Sequence, residues 1–144
     1  GEPAYFQHVV GAAKGLMAEL GYEAGDFTYA VFHQPNVKFP VKAARALGFG
    51  MDAIKPGLIV PMVGNTYAGS TPLGFAATLD VAEPGDRVLV VSYGSGAGSD
   101  AFSFVVQGAI ANDRRLDPAI SVFINRRRHI DYSIYSKLRG KILR

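Results

Sequence analysis

Residues 87–107 read RVLVVSYGSGAGSDAFSFVVQ, and the fold class turns on this stretch. Arg87 to Tyr93 is an unbroken Val/Leu run of the kind carried by a strand buried on both faces, because a strand with one wet face would alternate apolar and polar residues. The Gly/Ser segment that follows is a loop, and Ala101 to Gln107 is a second β-like run, so the three together predict an antiparallel hairpin. A sheet that contains a doubly buried strand needs a covering layer on each side, and helices supply it.

Working outward, Glu83-Pro84-Gly85-Asp86 is a turn, and before it Pro72 to Ala82 carries Leu73, Phe75, Ala76, Ala77, Leu79 and Val81 on every side, which predicts a helix buried all round. Ser70 or Thr71 can cap that helix, with Pro72 in its first turn. Leu58 to Val63 reads as a third strand. Val41 to Leu47 reads as a helix closed by Gly48, and Phe27 to His33 as a strand ending in polar residues. Pro3 to Leu20 places Phe6, Val9, Val10, Ala13, Met17 and Leu20 at helical spacing, with Gly21 as the stop. The order αβαβαββ predicts an α/β layered unit with a largely buried mixed sheet. Asp131 to Ile142 reads as a short helix or strand on the surface.

A chain of 144 residues, 49% apolar and 19% charged, is long enough for one compact unit with its own core. Residues 1–112 form the αβαβαββ body and residues 113–144 a basic terminal segment with nine Lys/Arg against three Asp. Nucleic acid is disfavoured as a partner, because Val122, Phe123, Ile130, Tyr132, Ile134 and Tyr135 interleave the charges and a basic patch alone is only an electrostatic footprint. The longest apolar stretches, such as Gly57 to Gly64, are far below the roughly 20 residues of a membrane span, so a soluble, cytoplasmic protein is the expectation. The chain begins at Gly1 at a helix-like segment, which points to a processed, split or trimmed polypeptide. There is no Cys, so no thiolate nucleophile, disulfide or thiolate metal site comes from this chain.

Three polar clusters fall at the ends of the expected strands, where open α/β sheets build their sites. They are His33-Gln34-Pro35-Asn36, Gly64-Asn65-Thr66-Tyr67-Ala68-Gly69-Ser70, and the loop from Ser92 to Ser99. His33 is a candidate general acid/base or hydrogen-bond donor to a carbonyl, or else a structural histidine. Asn65 is a candidate oxyanion donor, or else a turn residue. The Gly/Ser loop either lets a ligand approach the backbone or is a tight hairpin.

Together these motifs, in this order, resemble the carboxyl-terminal half of the thiolase superfamily, and within it the archaeal type of 3-hydroxy-3-methylglutaryl-CoA (HMG-CoA) synthase. The residues that carry the resemblance are the run Phe32 to Pro40, Gly64-Asn65-Thr66 with Ser70, Ser92-Tyr93-Gly94-Ser95-Gly96, and the terminal Ile130 to Ile142. The resemblance implies a layered αβαβα fold with a five-stranded type of mixed sheet around a buried helix. It implies that His33 bonds the ketone of acetoacetyl-CoA, that Asn65 holds the thioester with Ser95 beside it, and that Lys38 and Lys42 face the CoA phosphates, although solvated helix lysines read the same way. The family's nucleophilic Cys and its Glu base lie in the amino-terminal half. The resemblance therefore implies an acceptor-side half that condenses acetyl-CoA with acetoacetyl-CoA only with a cysteine-bearing partner, inactive alone, with no cofactor. Homo- or hetero-oligomers, including one with an acetoacetyl-CoA thiolase, are the expected assemblies. The alternatives are an acyl transferase like ketoacyl-ACP synthase III and a non-catalytic half that scaffolds a partner.

Overall fold

The computed structural model describes residues 2–94, 96, 98–110 and 118–141. A long helix α1 (Glu2–Leu20) leads into strand β1 (Tyr29–Phe32), then α2 (Lys38–Leu47), two single-turn helices α3 (Met51–Ile54) and α4 (Val60–Val63), and α5 (Ser70–Leu79). Strands β2 (Arg87–Val91) and β3 (Ala101–Val105) form the hairpin, and α6 (Ile120–Asn125) and α7 (Tyr132–Leu138) follow. Among the described residues the sheet has three strands in the order β1-β2-β3. It is mixed: β1 runs parallel to β2, with Phe32 opposite Val91, and β2 antiparallel to β3, with Val91 opposite Ala101.

The unbroken apolar run of β2 is explained by its central place, since alternate side chains enter different layers. Leu89 and Val91, with Ala30 and Phe32 of β1, face a core closed by Tyr5, Val9, Ala13 and Met17 of α1 and Ala43, Ala44 and Leu47 of α2. The α1 residues are four apart and so share one face of the helix. Val88, Val90 and Val31 point the other way, toward Ala82, Val106, Phe75 and Leu79. Fully burying one such aliphatic side chain is worth about 1.5–3 kcal/mol, so β2 anchors both layers. Gly21, at φ 68°, ends α1 and lets the Tyr22 N–H reach back to the Met17 carbonyl at 2.8 Å.

Three expectations need correction. Leu58 to Val63 is not a strand: Leu58 and Ile59 lead into α4, which takes up the rest of the run, and the N–H groups of Ile59 and Val60 are taken at 2.9 and 2.8 Å by the Gln34 side chain rather than by a neighbouring strand. A short apolar run is compatible with either state by pattern alone, and a partner 25 residues away decides it. With that strand absent, the sheet has three strands among the described residues, against the five-stranded type expected.

The third correction concerns α5. It buries Ser70, Thr71, Gly74 and Thr78, while Leu73, Phe75, Ala76, Ala77 and Leu79 are only partly buried. The helix lies so close to β1 that a Cβ on Gly74 would stand 2.8 Å from Gln34 Nε2 and 3.1 Å from Val31, so its small residues form the contact and its large ones are turned aside. Phe75 stacks on Phe104 at 4.9 Å, and Phe104, Phe102 and Val81 remain exposed.

The terminal segment holds to the body where Asp80 Oδ2 accepts the Ile120 N–H at 2.6 Å. The helical reading of Asp131 onward holds for α7, whose N-cap Asp131 accepts the Ile134 N–H at 2.9 Å. No helix among the described residues is long and apolar enough to cross a membrane.

Candidate active site

His33 follows the last residue of β1, its N–H bonded to the Val91 carbonyl at 2.9 Å as the ladder's final rung. The Tyr5 hydroxyl donates to the His33 carbonyl at 2.6 Å, so both backbone groups are pinned from different elements. The imidazole is 7% exposed and packs against the paired rings of Tyr5 and Tyr93, whose centroids are 6.3 and 5.8 Å from it and 5.4 Å from each other. Its Nδ1 stands 2.8 Å from the Ser70 hydroxyl, which leaves Nε2 as the ring nitrogen without a partner among the described residues. Burial penalises the imidazolium and holds the His33 pKa below the ordinary value. Burial likewise pushes the Tyr5 phenol well above its usual range, so neither group is charged near neutrality.

The ring opens onto a cavity of about 420 Å³ whose walls include Tyr5, Phe39, Asn65, Tyr67 and Tyr93. The structure thus brings together two of the residues expected from the sequence, His33 and Asn65, with the four aromatic rings of Tyr5, Phe39, Tyr67 and Tyr93. The turn reading of Asn65 is seen directly: Oδ1 accepts the Tyr67 N–H at 2.8 Å in a turn where Tyr67 takes φ 52°, and this fixes the amide and leaves Nδ2 as its donor side. The chemistry available is hydrogen-bond donation to a carbonyl oxygen as negative charge develops on it.

The other expected site residues are placed differently. Lys38 opens α2 with an exposed side chain. Lys42 is exposed too, but Nζ pairs with Glu2 Oε1 at 2.7 Å and lies 4.6 Å from the centre of the Phe6 ring. Neither lysine lines the cavity of His33. Ser95 lies outside the described residues. Its loop is a tight hairpin at the base, where Gly94 N–H bonds the Gly98 carbonyl at 2.8 Å, and Gly94 reaches the cavity wall.

Two residues that the sequence reading placed in the polar clusters, without a role in the site, bind the site together. Gln34, 2% exposed, donates from Nε2 to the Gly57 carbonyl at 2.8 Å and accepts from Ile59 and Val60, so it ties the end of β1 to the segment that leads to Asn65. Ser70 is not an N-cap: it is the first residue of α5 and spends its hydroxyl on the Gln34 N–H at 3.2 Å and on His33. The signal for Ser70 was the doubling of cap candidates, Ser70 and Thr71, where a helix uses one.

Relatives sharpen this picture. HMG-CoA synthases from Methanothermobacter thermautotrophicus and Thermococcus kodakarensis are 59% and 58% identical to this chain over 142 and 143 residues, 99% of it in both cases. The chain spans 41% of the length of each. Among solved structures, the HMG synthase of the curacin biosynthetic pathway with holo donor acyl carrier protein superposes with a TM-score of 0.79 at 24% identity, over 93% of this chain and 37% of that one. The β-ketoacyl-[acyl carrier protein] synthase III of Thermus thermophilus gives 0.66 at 27%, over 73% and 33%. The fold is the carboxyl-terminal half of a thiolase-like α/β fold, with His33 and Asn65 at one end of its sheet. Residues 17–106, which span all three strands and both cavity-lining turns, match the family described as 3-oxoacyl-[acyl-carrier-protein (ACP)] synthase III C terminal, and the chain belongs to that family.

Proposed function

We propose that this chain is the acceptor-side half of an HMG-CoA synthase, which joins acetyl-CoA, acetoacetyl-CoA and water into HMG-CoA and CoA. The observation that carries the reading is the buried His33, which shares the wall of one cavity with Asn65 in a chain that has no Cys. A site that offers donors to a carbonyl and no Cys suits the half of a condensation in which the acceptor is held and its charge stabilised, while covalent catalysis is supplied elsewhere. In this reading His33 Nε2 bonds the acceptor ketone, Asn65 Nδ2 the thioester, and Ser95 stands beside them. Lys38 and Lys42 meet the CoA phosphates at the rim, Lys42 by exchanging Glu2 for the ligand. The identity to archaeal synthases supports the substrate pair.

The partner is an amino-terminal half that brings the nucleophilic Cys and the Glu base. It covers the apolar surface of Phe75, Phe102, Phe104 and Val81, which this chain leaves exposed or half-buried. The setting is cytoplasmic and belongs to the mevalonate route to isoprenoids, in an oligomer that an acetoacetyl-CoA thiolase can join. A carrier-protein substrate is the second reading, favoured by the ion pair that already engages Lys42.

The test is reconstitution with the cysteine-bearing half of the synthase, with CoA release measured from acetyl-CoA and acetoacetyl-CoA. The assembly is expected to turn over and this chain alone to show none. In the assembly, His33→Ala should leave acetylation of the partner Cys intact and depress condensation about 100- to 1,000-fold, the usual loss for one such electrostatic contact. Turnover by this chain alone, or normal condensation by His33→Ala, would overturn the proposal.

A further inference from the structure

We propose that Ser70 is the positioning residue that holds His33 in its Nε2–H tautomer, so that the imidazole meets a ligand in the cavity as a hydrogen-bond donor and not as a base. The role assigned to the donor rests on the acceptor-site reading above, whereas the tautomer itself rests on geometry alone.

A serine hydroxyl has one proton to give and two lone pairs to receive. The Gln34 backbone N–H, 3.2 Å away, can only donate, so it occupies a lone pair of Ser70 Oγ. The second contact is His33 Nδ1 at 2.8 Å, where either atom can be the donor. If Nδ1 carried the proton, Ser70 would accept twice, and its own proton would point into a site where the residue is 1% exposed and no further acceptor contacts it among the described residues. If the hydroxyl donates to Nδ1, the Ser70 hydroxyl, the Gln34 N–H and His33 Nδ1 are all paired, and the remaining N–H, on Nε2, is left for the cavity. The energy of leaving a buried donor unpaired corresponds to roughly a 5- to 150-fold preference for the second arrangement.

The arrangement is held on all sides. The strand fixes the His33 backbone, Tyr5 pins its carbonyl, and the Tyr5 and Tyr93 rings, in contact with each other, pack against the imidazole. No Asp or Glu contacts the ring among the described residues, and a carboxylate on Nδ1–H is what would have prepared Nε2 to act as a base.

Ring nitrogens of the ¹⁵N-labelled chain distinguish the tautomers in two-bond proton–nitrogen correlation spectra at about pH 8, above the ordinary imidazole pKa. The His33 pattern is identified by its loss in His33→Gln. The parent and Ser70→Thr, which keeps the hydroxyl, are expected to show a protonated Nε2 and an unprotonated Nδ1. Ser70→Ala is expected to show the two forms mixed or reversed. A protonated Nδ1 in the parent overturns the proposal, as does an unchanged pattern in folded Ser70→Ala; if that variant does not fold, the parent and Ser70→Thr spectra decide. The measurement needs neither CoA nor a partner, so an inactive reconstituted assembly with the expected spectra would refute the synthase reading and leave the role of Ser70 standing.

Discussion

Gln34→Ala is the substitution expected to cost this fold most for its size. The amide of Gln34 is buried and makes three bonds to backbone groups of one segment: to the Gly57 carbonyl at 2.8 Å, and from the N–H groups of Ile59 and Val60 at 2.9 and 2.8 Å. Removing it leaves the Val60 N–H without its acceptor. Ile59 N–H and Gly57 O keep only their mutual 3.1 Å contact. An unpaired buried donor or acceptor costs about 1–3 kcal/mol, so the loss is about 2–5 kcal/mol, a large part of the roughly 5–15 kcal/mol that holds a domain together. Urea unfolding of this chain followed by circular dichroism should show a lower midpoint with an unchanged slope. Native-state hydrogen exchange should quicken first at Val60. A companion variant checks the mechanism: Gln34→Glu keeps the acceptor oxygens but loses the donor and buries a charge, so it should recover stability on acidification, when a protonated carboxyl can again donate to Gly57. A cost below about 1 kcal/mol with unchanged exchange at Val60 would refute the reasoning.

The same logic gives further expectations. In the reconstituted assembly Asn65→Ala should lower kcat for condensation, whereas Lys38→Ala with Lys42→Ala should raise KM for acyl-CoA and leave kcat nearly unchanged, because a phosphate-facing lysine binds ground and transition states alike. A double-lysine variant as easily saturated as the parent would favour the carrier-protein reading. For His33 the folded pKa lies below the unfolded value of about 6.5, so the unfolded chain binds the extra proton in that window. Its stabilising contribution is complete above about pH 6.5 and is lost as pH falls through the depressed folded value. Stability measured by urea unfolding should decline over that range in the parent, and the decline should flatten in His33→Gln; an equal slope in both would show that His33 is not the titrating group.

The parts of the fold legible in the sequence are those whose environment lies within the chain. β2 reads as a doubly buried strand because both of its layers are here, and the stripe Val9, Ala13, Met17 reads as the inner face of α1 for the same reason. Leu58 to Val63 was misread because its state depends on Gln34, which no local period can reveal. His33 is legible as a candidate site residue from its place at a strand end, but its hydrogen-bond partner Ser70 lies 37 residues on, at the start of a helix where a cap is the simpler reading. At Asn65 the turn bond of Oδ1 is what orients the amide, so on the proposed reading the turn and the donor role do not compete.

The misreading of α5 has a different cause. Its composition is that of a helix surrounded by protein, and here Leu73, Phe75 and Leu79 are only partly covered while Thr71 and Thr78 are buried. A sequence is selected in its complete environment, so a helix that is apolar all round and covered on one side only marks where other chain belongs. That surface continues onto β3 through the Phe75–Phe104 stack and Phe102, beside the same sheet whose end carries His33. On the proposed reading the missing cover and the missing Cys are one absence: the half that buries Phe75 and Phe104 is the half that brings the nucleophile to His33. A cysteine-bearing half that restores turnover should therefore also protect these aromatic residues from solvent. Restored turnover with Phe102 and Phe104 still exposed would separate the two and refute the link.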